Sequence, residues 1–271
     1  MPRRARSLPA IVFSHANGFP AGTYRQLFDV WRAAGHRVLA VTKFGHDPQY
    51  PVSSNWPHLR QQLLDFITRE APGGPVALVG HSLGGYLSLM AACRRPEIAT
   101  AVVLIDSPVL AGWRAHSVQM AKVTRLMGRI SPGRVAERRR HHWASVDEAS
   151  RLYAAKTVFA RWAEGVLDDY LAAGLEPAER GGVQLAFRRE VETRLYNTLP
   201  HTLGTMLHRH PPRCPVSFIG GTQSTEVRQV GLAATRAVTQ GRIAWIVGSH
   251  LFPMERPVET ARAVLAAIAR N

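Results

Sequence analysis

At Ser82 the hydrophobic period of this sequence changes within one residue. Val76-Ala77-Leu78-Val79 is a short unbroken apolar run, and Tyr86-Leu87-Ser88-Leu89-Met90-Ala91-Ala92 has the spacing of a buried helix. Between them lies Gly80-His81-Ser82-Leu83-Gly84. A strand that becomes a helix across so short a span must turn sharply, which strains the central residue and leaves no room for bulky neighbours. The glycines at 80 and 84 suit that turn. It would lift the Ser82 hydroxyl above a sheet and aim the following backbone N–H groups, at a positive helix N-terminus, toward a developing oxyanion.

The rest of the chain fits a sheet around such an elbow. Ala10–Ser14, Arg37–Val41, Val76–Gly80, Ala101–Ile105, Val216–Ile219 and Ile243–Val247 read as strands, and their near-continuous hydrophobicity predicts buried, parallel ones. Thr23–Ala34, Pro57–Glu70, Leu83–Arg95, Glu226–Thr239 and Pro257–Arg270 carry apolar residues at helical spacing. Asn55 and Pro57 suit a helix start, and Gly35 suits the position just past a helix end. This alternation predicts a doubly wound α/β sheet of about six strands. From about Trp113 to His210 it breaks down: Ser117–Met127, Val146–Ala163, Val166–Ala172 and Leu185–Tyr196 look helical, and no strand stands out. Residues 1–112 and 211–271 are therefore expected to form the core, with 113–210 as an inserted helical lid.

Composition sets limits on function. The formal charge of +15 could draw a polyanion, but the arginines are scattered, only Arg138–Arg140 forms a triplet, and no nucleic-acid module accompanies them. Nucleic-acid binding is not expected. Cys93 and Cys214 follow neither a CxxC nor a Cys/His metal spacing, so neither a disulfide framework nor a metal site is expected. Ile11–Phe13 is too short for a signal-peptide core and no segment approaches a membrane span, so a cytoplasmic location is expected.

Two further loops carry chemistry. Ser14-His15-Ala16-Asn17-Gly18-Phe19-Pro20 follows the first strand, and its turn can point the N–H of Asn17 or of Phe19 at the space above the elbow. Gly248-Ser249-His250-Leu251-Phe252-Pro253-Met254-Glu255-Arg256-Pro257 follows the last strand and places His250 at the carboxyl edge, where open α/β sheets bind ligands. His201, His208 and His210 show no strong metal spacing and suit polar or surface roles.

These three motifs together resemble the α/β-hydrolase superfamily, and within it small bacterial hydrolases with a HANGFP-like oxyanion loop and a G-[ST]-H-x-x-P-M-E-R-P histidine loop; the likeness covers most of the chain outside the lid. The resemblance implies Ser82 as nucleophile, His250 as base and the Leu83 N–H as one oxyanion donor. It also implies two further strands ahead of the oxyanion loop, whereas only about nine residues precede the first strand here, and an aspartate soon after Val216–Ile219, where this chain reads Gly220-Gly221-Thr222-Gln223-Ser224-Thr225-Glu226. Asp106 stands at the carboxyl end of the strand after the elbow helix, an acid position used by some members of the fold, and keeps the order Ser, Asp, His. Glu226, a water, or no acid at all are the alternatives. The expectation is hydrolysis of a carboxylic ester or related acyl compound through an acyl-enzyme, on a small substrate with an apolar part and without a cofactor or metal. An acyltransferase, or a decayed binding protein on the same fold, are the other readings.

Overall fold

The structure is a computed structural model and describes residues 8–111 and 133–270. In chain order its strands are β1 (Ile11–Ser14), β2 (Val38–Ala40), β3 (Val76–His81), β4 (Ala99–Ile105), β5 (His142–Trp143), β6 (Leu175–Pro177), β7 (Val183–Leu185), β8 (Val216–Gly221) and β9 (Ile243–Ile246). Six of them form one sheet in the order β2-β1-β3-β4-β8-β9, with every pairing parallel. No strand precedes β1 among the described residues.

Side-chain alternation assigns the two faces. Val12, Leu78, Val102, Leu104, Val216 and Phe218 pack under the helices Pro57–Glu70 and Leu83–Arg94. Their sequence neighbours Ile11, Phe13, Ala77, Val79, Val103 and Ile105 face the opposite layer, built on Leu27, Phe28 and Trp31 of Arg25–Ala33 and on Ala261 and Val264 of Pro257–Ala269. Both faces are covered, which explains why the central strands read as continuous apolar runs rather than as alternating ones. Removing one buried leucine from water stabilises such a core by about 1.5–3 kcal/mol.

Several local expectations are corrected. Glu226–Thr239 is two helices, Thr225–Val230 and Ala233–Thr239, because Gly231 adopts φ +75° between them. Asn55 does not cap Pro57–Glu70; Trp56 stands at that position, and Asn55 Oδ1 instead accepts from the N–H groups of His201 and Thr202 at 2.8 and 3.2 Å. The insertion is not strand-free. β5, β7 and β6 form a small antiparallel sheet, in which Leu185 ends a strand instead of starting a helix. The neighbouring helices are Val146–Ala154, Val166–Gly174, Arg189–Asn197 and Leu203–Arg209. The stretch read as helix at Ser117–Met127 lies outside the described residues.

Residues 133–210 dock onto the loops at the carboxyl edge of the main sheet. Asn17 Nδ2 donates to the Glu192 carbonyl at 3.1 Å, Lys43 Nζ to the Ala186 carbonyl at 2.9 Å, and the Ala163 N–H to the Met254 carbonyl at 2.9 Å. Among the described residues no helix is long and apolar enough to cross a membrane.

Candidate active site

The elbow has the strain its sequence implies. Ser82 sits at φ +53°, ψ −116° between β3 and the helix Leu83–Arg94, a conformation costly for a residue with a Cβ and held by its surroundings. The Ser82 N–H donates to the Ile105 carbonyl at 3.0 Å, and Ser107 Oγ donates to the Ser82 carbonyl at 2.7 Å. Gly84 is required by close approach: a Cβ there would lie 1.9 Å from the Ser14 carbonyl oxygen. As the first residue of the helix, Leu83 has an N–H with no acceptor in the preceding turn.

In the loop after β1, the Phe19 N–H donates to the Ala16 carbonyl at 3.2 Å, closing a four-residue turn with Gly18 at φ +82°. This conformation suits glycine at the third turn position. It also engages the N–H of Phe19, one of the two candidate oxyanion donors beside Asn17. The Ala16 N–H is taken as well, by Tyr24 Oη at 3.2 Å. His15, fully buried, donates from Nδ1 to the Ala16 carbonyl at 2.8 Å and accepts at Nε2 from the Phe44 N–H at 2.9 Å. Burial lowers its pKa to about 4, so it stands neutral in the tautomer those bonds require.

The carboxylate nearest His250 belongs to Asp106. Asp106 Oδ2 accepts from His250 Nδ1 at 2.7 Å, whereas Glu226 Oε2 lies 3.8 Å from the same nitrogen, beyond hydrogen-bond reach. Asp106 follows β4 at φ +43°, the second strained non-glycine residue at this edge. Its other lone pairs are used: Oδ1 accepts from the Gly221 N–H at 2.7 Å and Oδ2 from Ser224 Oγ at 2.5 Å. Ser224 lies on the loop where the resemblance implies an aspartate, and so holds the carboxylate that β4 supplies instead. The Ser224 hydroxyl is buried, and nothing in residue type or spacing along that loop marks it as a partner for a distant acid. Glu226 is bound locally, accepting from Thr225 Oγ1 at 2.9 Å at the start of Thr225–Val230.

Burial lowers the pKa of His250, but the hydrogen bond and charge of Asp106, with the charge of Glu226, more than offset this and raise it above the ordinary histidine value. The loop carrying His250 is braced by Glu255, which accepts from the Ser249 N–H at 3.1 Å and from Ser249 Oγ at 2.6 Å. Arg161 of the insertion reaches the same carboxylate at 3.3 Å. Asp106, Glu226 and His250 are also the one group of three possible metal ligands among the described residues, with ligand atoms within 4.8 Å of one another. Both Asp106 oxygens already accept from N–H or O–H donors, which a cation would have to displace. His201, His208 and His210 form no such group with other described residues.

Beside the Ala16–Phe19 turn the insertion presents aromatic rings. Phe19 lies 5.7 Å from Tyr170 and 6.1 Å from Trp162, ring centre to ring centre, and Phe159 lies 4.5 Å from Trp162. Glu192 approaches from another side: its Oε1 would be 3.0 Å from a Cβ on Gly18, and its Oε2 is 2.7 Å from Arg139. Arg139 belongs to the one arginine triplet of the sequence, and its side chain is only 22% exposed.

A sequence model of the alpha/beta hydrolase family matches residues 11–263. A monoglyceride lipase homolog of Monkeypox virus is 31% identical over 132 residues, 45% of this chain and 46% of the viral protein. The monoglyceride lipase of Mus musculus is 29% identical over 130 residues, 45% of this chain and 43% of the mouse protein. The matched stretch thus spans less than half the length of these curated relatives. Among solved structures, a thioesterase domain from the curacin biosynthetic pathway superposes with a TM-score of 0.73 at 20% identity, over 95% of this chain and 91% of that one. E-2-(acetamidomethylene)succinate hydrolase gives 0.68 at 19% identity, over 96% and 91%. At these identities the structures speak to the fold alone.

Proposed function

The chain belongs to the alpha/beta hydrolase family, and from that premise we propose that it is a serine hydrolase cleaving carboxylic esters through an acyl-enzyme on Ser82. The observation that carries this reading is the 2.7 Å bond between His250 Nδ1 and the buried Asp106 carboxylate, at the same sheet edge as the strained Ser82 elbow. With Nδ1–H directed at Asp106, Nε2 is the nitrogen left unprotonated in the neutral ring, as a general base requires. Ser82 Oγ attacks the ester carbonyl carbon while its proton passes to His250 Nε2. The Leu83 and Asn17 N–H groups hold the oxyanion, and Asp106 stabilises the imidazolium. The tetrahedral species collapses, the alcohol leaves with the proton from His250, and a water deprotonated by His250 then releases the acid and restores the serine.

Residues 113–210 act in this reading as a lid on a core formed by 1–112 and 211–271. The rings of Phe19, Phe159, Trp162 and Tyr170 support an apolar part in a small or medium substrate. The names of the lipase relatives favour an ester over an amide. A decayed binding protein is disfavoured, because His250 has a carboxylate partner in Asp106. The test is a fluorophosphonate probe together with p-nitrophenyl esters of increasing acyl length. Prompt labelling and turnover, both abolished by Ser82→Ala, are expected; a folded protein that neither labels nor turns over any ester overturns the proposal. Added alcohols that divert the product to a new ester would identify an acyltransferase.

A further inference from the structure

Three hydrogen bonds, two of them buried and the third partly buried, join loops that the proposed reaction must keep in register. The Ala16 N–H donates to Tyr24 Oη at 3.2 Å, Tyr24 Oη is 2.7 Å from His81 Nδ1, and His81 Nε2 is 2.9 Å from the His250 carbonyl oxygen. Chemistry fixes the direction of each bond. A carbonyl only accepts, so His81 carries its proton on Nε2 and donates it to His250. Nδ1 of the neutral ring must then accept, so the Tyr24 hydroxyl donates to it and uses a lone pair for the Ala16 N–H. His81 and Tyr24 are fully or almost fully buried, and burial pushes the His81 pKa down and the Tyr24 pKa up, which suits a chain of neutral groups.

The ends of this chain are informative. Ala16 is the first residue of the turn that carries the Asn17 N–H, His81 is the residue before Ser82, and the bonded carbonyl is that of His250 itself. The His81 ring also lies 4.9 Å from the His250 ring, centre to centre. A positively charged ring there would oppose the imidazolium that His250 must become, and the neutral form avoids this.

We infer that Tyr24 and His81 are positioning residues: a hydrogen-bonded strut that fixes the oxyanion turn and the base relative to Ser82 without touching substrate. The inference rests on the serine-hydrolase reading above. Misplacing reacting groups by about 1 Å can cost on the order of 100-fold in rate while leaving binding nearly intact. Tyr24→Phe removes one oxygen and strands two partners, the Ala16 N–H and His81 Nδ1. His81→Leu removes both bonds of the ring, and His81→Gln can restore the donor to the His250 carbonyl.

The experiment measures kcat and KM on one p-nitrophenyl ester, and the rate of fluorophosphonate labelling, at a temperature where circular dichroism shows each variant folded. Thr239→Val, which deletes a buried 2.8 Å bond to the Thr235 carbonyl in a helix away from these loops, controls for general destabilisation. Expected are a fall in kcat and labelling rate of roughly 10- to 100-fold for Tyr24→Phe and His81→Leu with KM little changed, partial recovery in His81→Gln, and no change in Thr239→Val. If wild-type protein labels but the Tyr24 and His81 variants label and turn over at its rate, or if His81→Gln is no better than His81→Leu, the strut is overturned. If wild-type protein does not label, the serine-hydrolase reading fails first.

Discussion

Asp106 accepts three hydrogen bonds while held at φ +43°, and each constrains where its carboxylate can point. Glu226 is bound at the surface and stands 1.1 Å farther from the same imidazole nitrogen, 3.8 against 2.7 Å. Asp106→Asn is therefore expected to lower kcat by on the order of 10⁴-fold, the size of the same change in the serine-protease triad, while Glu226→Gln changes it little. The pH profile gives an independent reading. A base must be neutral, so activity rises with pH through the His250 pKa, which lies above the ordinary value because Asp106 and Glu226 outweigh burial. With Asp106→Asn the larger raising contribution is lost and burial remains, so the acidic limb of kcat/KM should move to lower pH. A limb that stays in place would remove Asp106 from its proposed role.

At the scale of elements, the elbow works because β1, β3 and the helix Leu83–Arg94 approach more closely than side chains allow. A methyl group at Gly84 would meet the Ser14 backbone 1.9 Å away, and backbone in the centre of a sheet cannot give way. Gly84→Ala should thus cost at least about 3 kcal/mol, the upper range for overpacking, and abolish labelling of Ser82. Gly73 has nothing within 4 Å of an added Cβ and lacks a positive φ. Gly73→Ala should be neutral or stabilise by about 0.4–1 kcal/mol. Thermal unfolding of the pair measures both, and equal Tm values would refute the packing account. The elbow was legible in the sequence because its determinants are local: strand, two glycines, helix. The small sheet β5-β7-β6 was not, because strands of two or three residues carry too little periodicity to register. Whether Asn17 or Phe19 donates stayed open for a similar reason, since which N–H closes a turn depends on backbone angles that Asn-Gly-Phe alone does not fix.

For the whole molecule, neutral histidines buried under a large positive charge make acid the vulnerable direction. Burial lowers both His15 and His46 to about 4 from an unfolded value of 6.5, and also holds His81 well below that unfolded value. Between those values the unfolded chain binds protons that the folded one does not, so stability is complete above about pH 6.5 and falls as pH drops toward 4. Self-repulsion from the formal charge of +15, which grows as carboxylates protonate, acts in the same direction. Tm is expected to decline over that window, and His15→Gln, whatever its Tm at pH 7, should flatten the decline. A His15→Gln profile parallel to wild type would exclude His15 as a source. The charge is also less uniform than composition suggests: Arg139 is drawn inside by Glu192, and Arg140 pairs with Glu148 at 2.6 Å and lies 5.7 Å from the Trp143 ring.

The sequence by itself determined the parallel six-stranded sheet, the elbow at Ser82 and the loops that carry Asn17 and His250, because apolar runs, helical spacing and turn glycines are properties of neighbouring residues. Only the tertiary structure decided which carboxylate meets His250, since Asp106 and His250 are 144 positions apart and their pairing depends on β4, β8 and β9 lying in that order in the sheet. The same holds for Ser224 beneath Asp106 and for the chain through Tyr24 and His81. A hydroxyl or an imidazole becomes a brace only through the partner that packing brings to it, and residue type and spacing along the chain do not encode that partner.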